Sequence, residues 1–123
     1  MYITIDERDV RPIYQQIVDE IKGLIAKGEL REGSSLPPVR QVASDLGVNL
    51  NTVAFAYRKL KAEGFINVKH GSGAFVKART ASARTEEQLR SQLRMALTQL
   101  VLAGLKRGDI RTLVNEELSE IID

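Results

Sequence analysis

One stretch constrains the fold more than anything else in the chain. From Leu36 to Lys77 it reads LPPVRQVASDLGVNLNTVAFAYRKLKAEGFINVKHGSGAFVK. Apolar residues recur at helical spacing from Val39 to Leu46 and stop at Gly47, which can take the left-handed backbone that closes a helix. Asn49 or Asn51 can then accept the free N–H groups that open a second helix. Two helices joined by so short a turn form a helix-turn-helix. Behind them, Phe65-Ile66-Asn67-Val68 and Ala74-Phe75-Val76 alternate around Lys69-His70-Gly71-Ser72-Gly73, which is the pattern of a tight β-hairpin.

Helix-turn-helix followed by a basic, glycine-rich hairpin predicts a winged helix. The expected fold class is therefore mainly α with a small β wing, α+β in the broad sense. In such an arrangement the second helix enters a DNA major groove, while the hairpin tip follows the backbone or reaches the neighbouring minor groove. Charge supports this reading: the stretch carries Arg40, Arg58, Lys59, Lys61, Lys69 and Lys77 against only Asp45 and Glu63, a net of +4, whereas the whole chain of 123 residues is only +2.

Spacing separates packing residues from outward-facing ones. Val39, Val42, Ala43 and Leu46 should pack on Val53, Ala56, Tyr57 and Leu60. Facing outward at the start of the second helix are Asn49, Asn51 and Thr52, with Leu50 between them. Asparagine can pair bidentately with adenine, and threonine can meet a base edge or a phosphate. For Asn49 and Asn51 two compatible readings stay open, N-cap and DNA contact. Tyr57 falls in both sets, since spacing puts it in the core and it also counts with Arg58 among the expected DNA contacts. Lys69, His70 and Gly71 complete that set at the wing tip, where Gly71 and Gly73 allow close approach to a phosphate. Gly71-x-Gly73 is no nucleotide cradle, because it lacks a third glycine and a strand-to-helix setting.

Several spaced motifs together resemble a known family. Pro12-Ile13-Tyr14-Gln15-Gln16-Ile17, then LREGS from Leu30 to Ser34, then LPPVRQVASDLGVNLNTVAFAYRKLKAEGFI and HGSGAFV, resemble in order and distance the amino-terminal domain of GntR-type bacterial transcription regulators. The likeness spans about residues 10 to 77. It implies that Arg40, in Pro37-Pro38-Val39-Arg40, contacts DNA, and that His70-Gly71 matches the family's wing histidine-glycine pair. Two positions depart from the family: Asn49-Leu50 stands where many members have Ser-Arg, removing a base-reading arginine, and Pro38 replaces a frequent serine. Base preference therefore cannot be carried over. The short helical tail resembles that of the YtrA-like subfamily, which implies a small dimeric repressor, often of transporter operons.

The rest of the chain divides around this domain, expected over residues 1–77. Residues 2–11 begin with β-like alternation and then become charged, so a small strand and an ordered arm are both open. From Pro12, Ile13, Ile17, Ile21, Leu24 and Ile25 recur at helical steps up to Gly28. Residues 78–84 read as a small, basic linker. Over residues 85–123, Thr85 with Glu86-Glu87-Gln88 has the form of a capping box. The helix it opens is expected to run to about Lys106 and to break at Gly108, with Asp109 capping a last helix. Leu89, Leu93, Leu97, Leu100 and Val101, then Ile110, Leu113 and Leu118, form apolar stripes that two short helices cannot bury against each other. A second copy of the chain related by a two-fold axis would bury them and set the spacing on a pseudo-palindromic operator; the other reading folds the tail back on its own domain.

Other functions find little support. Without cysteine, disulfides, thiolate chemistry and Cys-based zinc sites are excluded. No catalytic constellation, metal cluster or cofactor motif stands out, and no apolar run approaches the roughly 18 residues that cross a bilayer. The sequence thus predicts a cytoplasmic, homodimeric DNA-binding regulator, most simply a repressor on a short inverted repeat. Activation, a protein-interaction role for the face from Asn49 to Lys61, and a small-molecule effector remain open.

Overall fold

The computed structural model describes residues 1–69, 73–77 and 85–122. The chain divides into two compact units, Met1–Thr80 and Ala81–Asp123. In the first, α1 (Ile13–Lys27), α2 (Val39–Leu46) and α3 (Leu50–Ala62) precede a hairpin of β1 (Ile66–Lys69) and β2 (Gly73–Val76). In the second stand α4 (Glu86–Leu102) and α5 (Arg107–Ile121).

α3 is the centre of the first unit, since α1, α2 and β1 all pack on it. Its inward residues Val53, Ala56, Tyr57 and Leu60 are buried with Val42 and Ala43 of α2 and with Ile17, Val18, Ile21, Leu24 and Ile25 of α1. Val39 and Leu46 pack at the margin of this core. The turn between α2 and α3 follows from local chemistry. Gly47 sits at φ +67° and sends its N–H back to the carbonyl of Ser44, ending α2. The Asn49 carboxamide oxygen accepts the Asn51 N–H at 2.7 Å, opening α3. Asn49 is therefore the cap, one of the two readings the sequence left open.

The wing hairpin is antiparallel, with Ile66 opposite Val76 and Lys69 opposite Gly73. Ile66, Ala74 and Val76 turn inward and are buried. Residues 33–36 run along the other side of β2: the Leu36 N–H donates to the Ala74 carbonyl at 2.9 Å, and the Val76 N–H to the Ser34 carbonyl at 2.8 Å. The segment that leads into α2 is thus tied to the wing.

The N-terminal residues form an arm rather than a strand. Ile3 and Ile5 pack against the core, and Gln16, only 3% exposed, fastens the arm from α1. Its side-chain oxygen accepts the Asp6 N–H at 2.9 Å, while its amide donates to the carbonyls of Asp6 and Arg11. Arg11 is held by Asp9 and Asp19, and its hydrogen bonds keep the Asp9 carboxyl below the usual carboxylate range.

In the second unit, the Thr85 hydroxyl accepts the Gln88 N–H and the Gln88 side chain accepts the Thr85 N–H, the capping box expected from sequence. The break between the helices differs from the expectation. It falls at Gly104, φ +98°, whose N–H returns to Val101 while the Leu105 N–H returns to Leu100. Gly108 lies inside α5, and Asp109 is no cap: from the first turn of α5 its carboxylate accepts the Lys106 N–H at 2.9 Å. A left-handed backbone is needed at only one of the two glycines, and local composition does not say which.

Candidate nucleic-acid interface

The start of α3 is presented by the turn just described. Asn51 is exposed and Thr52 half-buried on its first turn, with Leu50 43% exposed between Asn49 and Asn51. Because Asn49 uses its carboxamide oxygen on the helix itself, Asn51 and Thr52 are the polar side chains left to probe outward. Arg40 is exposed on the first turn of α2, and the main chain leading to it is held by β2.

Further along α3, Arg58 is exposed with its guanidinium 5.7 Å from the Phe55 ring centroid. Phe55 stands edge-on to Tyr14 of α1, centroids 4.7 Å apart. Lys59 lies 5.4 Å from the Tyr14 ring and donates to the Gln15 side-chain oxygen at 2.6 Å. These contacts fix two cations without neutralising them, since an aromatic face attracts a cation but carries no net charge. Among the described residues none of Arg40, Arg58, Lys59 and Lys61 has a carboxylate partner, whereas Lys22, Arg11 and Arg90 do. Uncompensated positive charge therefore gathers on and beside α3, where it favours a polyanion. Phe55, Tyr14 and Lys59 were not among the expected site residues. The spacing of Phe55 and Arg58, one helical turn apart, was the available signal.

Tyr57 departs from its expected role as a direct contact. It is 8% exposed, and its hydroxyl donates to the Pro37 carbonyl at 2.6 Å. Burial pushes the phenol up to about 12, so it keeps its proton and stays a donor. Lys69 ends β1, and His70 and Gly71 lie outside the described residues.

Residues 13–76 match the sequence profile of the bacterial regulatory proteins of the gntR family. The chain belongs to the GntR family. After its GntR-type domain come α4 and α5. The HTH-type transcriptional repressor YtrA of Bacillus subtilis is 33% identical over 119 residues, 97% of this chain and 91% of YtrA. A solved structure from Listeria monocytogenes, described as a transcriptional antiterminator, superposes with a TM-score of 0.89 at 34% identity, covering 100% of this chain and 94% of that one. YtrA from Sulfolobus acidocaldarius, a GntR-family transcription factor, gives 0.61 at 39% identity, covering 98% and 100%. GntR-family proteins are DNA-binding transcription regulators and not enzymes, and this chain is one of them. Among the described residues no helix is long and apolar enough to cross a membrane.

Proposed function

We propose that this GntR-family chain is a homodimeric repressor that acts in the cytoplasm by occluding a promoter through a short inverted repeat. The observation that carries the reading is in the tail: neither α4 nor α5 has a buried residue, although both bear apolar stripes. Leu89, Leu93, Val101 and Leu118 are all exposed, while Leu97, Leu100, Ile110 and Leu113 are half-covered. A second copy would cover these residues and place two α3 helices on one axis. Repression follows the similarity to the B. subtilis repressor YtrA, and the likeness to that subfamily makes transporter genes the first targets to examine.

Arg40 holds a backbone phosphate, Asn51 and Thr52 read bases, Arg58 adds a backbone contact, and Lys69, His70 and Gly71 follow the minor groove or its edge. Fluorescence anisotropy on DNA from upstream of the gene, titrated with salt against a scrambled duplex, tests this. Steeply salt-dependent binding that prefers the native DNA and saturates at two chains per site is expected. Equal, weak binding to both duplexes would reject it.

Two substitutions separate anchoring from reading. Arg40→Ala weakens binding to every sequence and lowers the slope of log affinity against log salt by about one unit. Asn51→Ala changes the preferred base at one position in each half-site, so a selection returning the original consensus would remove Asn51 from base reading.

A further inference from the structure

Pro37 and Pro38 join the wing-bound segment to α2, and neither carries a backbone N–H. Their carbonyls are the only polar main-chain groups by which the junction can be held. That of Pro38 accepts the Val42 N–H at 3.1 Å inside the first turn of α2. That of Pro37 accepts the Tyr57 hydroxyl at 2.6 Å. On one side of this junction, residues 33–36 pair with β2, through Gly33 and Leu36 N–H groups donating to Val76 and Ala74 carbonyls. On the other, Arg40 follows Pro38 by two residues.

We infer that Tyr57 is a positioning residue for DNA binding, its hydroxyl setting Arg40 relative to α3. The ring is buried in the core, so the hydroxyl is presented from a packed side chain of α3. Without it, the junction keeps its covalent links, the pairing to β2, the Pro38–Val42 hydrogen bond and the buried Leu36, but loses its hydrogen bond to α3. α3 would still enter the groove, but Arg40 would be held to it by the packing of α2 alone, without the hydrogen bond that fixes the start of α2. The inference rests on the reading that Arg40 holds a phosphate.

The test is a cycle of Tyr57→Phe, Arg40→Ala and the double variant, each measured by salt-titrated anisotropy on DNA from upstream of the gene. Thermal unfolding is followed alongside, so that binding is compared at a temperature where every variant is folded. Phenylalanine keeps the buried ring and removes only the donor. Expected is a loss of affinity at about 0.1 M salt approaching the roughly eightfold that one released counterion is worth relative to 1 M salt, with a lowered slope. In the Arg40→Ala background, Tyr57→Phe should add little. Native affinity and slope in Tyr57→Phe, with Arg40→Ala impaired, would overturn the inference and leave the role of Arg40 standing. Losses that multiply in the double variant would also overturn it. An unimpaired Arg40→Ala would remove both.

Discussion

Replacing Leu93 and Leu97 with aspartate should convert the protein to a folded monomer and weaken operator binding by about 10²–10⁴-fold. The two residues lie one turn apart on α4, with Leu93 56% exposed and Leu97 half-covered in the single chain. A charge there is tolerated by a lone helix in water. In a dimer each position would be buried, forfeiting about 1.5–3 kcal/mol of leucine burial and adding the desolvation of a carboxylate. With four such sites per dimer, association fails. The DNA-binding unit keeps its own core, so each half-site is still bound with the affinity of a single winged helix, and the large loss comes from unlinking two binding events. Sedimentation measures the mass directly. A double-aspartate protein that still sediments as a dimer would show that the partner surface lies elsewhere.

The second large effect is on stability. Leu60→Ala should cost about 2–5 kcal/mol, because Leu60 is fully buried near the end of α3 and its removal leaves a cavity in the core. That is a large share of the roughly 5–15 kcal/mol that typically holds a domain together. At about 4–8 °C per kcal/mol for a unit of this size, the melting temperature of the first unit falls well outside experimental scatter. Circular dichroism on heating measures it. A shift of only a degree or two would mean that the core closes over the space, which its close packing opposes. Unlike the tail variant, Leu60→Ala should bind DNA with near-native affinity wherever it is folded, since the side chain reaches no surface.

Much of the scaffold was legible because it depends on chemistry within a few residues. Gly28 and Gly47 end helices by adopting positive φ, Asn49 caps α3, and the Thr85-Gln88 pair closes its own box. The apolar stripes of α1, α2 and α3 named the helical part of the core except Val18, since helical periodicity reports which face is inward, while Leu30, Leu36 and the hairpin residues Ile66, Ala74 and Val76 complete it. Where two local signals competed, the sequence pointed to the wrong one: the break was expected at Gly108, and Gly104 takes the left-handed turn.

The candidate interface was legible in part. Arg40, Asn51 and Arg58 are exposed on the elements expected to carry them. Tyr57 was ambiguous because helical spacing placed its ring inward while its hydroxyl suggested a polar task, and the partner that resolves the two, Pro37, lies 20 residues away. The Tyr14–Phe55 contact that supports Arg58 joins two different helices, as does the Lys59–Gln15 hydrogen bond.

By itself, then, the sequence determined the helices, their ends except at the α4–α5 break, the hairpin and the sign of the charge beside α3, all set mainly by residues near each other in the chain. The tertiary structure decided what holds those pieces in register: the Gln16 clasp on the arm, the pairing of residues 33–36 with β2, and the Tyr57–Pro37 bond. Each joins groups far apart in the chain, and such a partner is chosen by which donors and acceptors the packed core brings together, not by any pattern along the sequence.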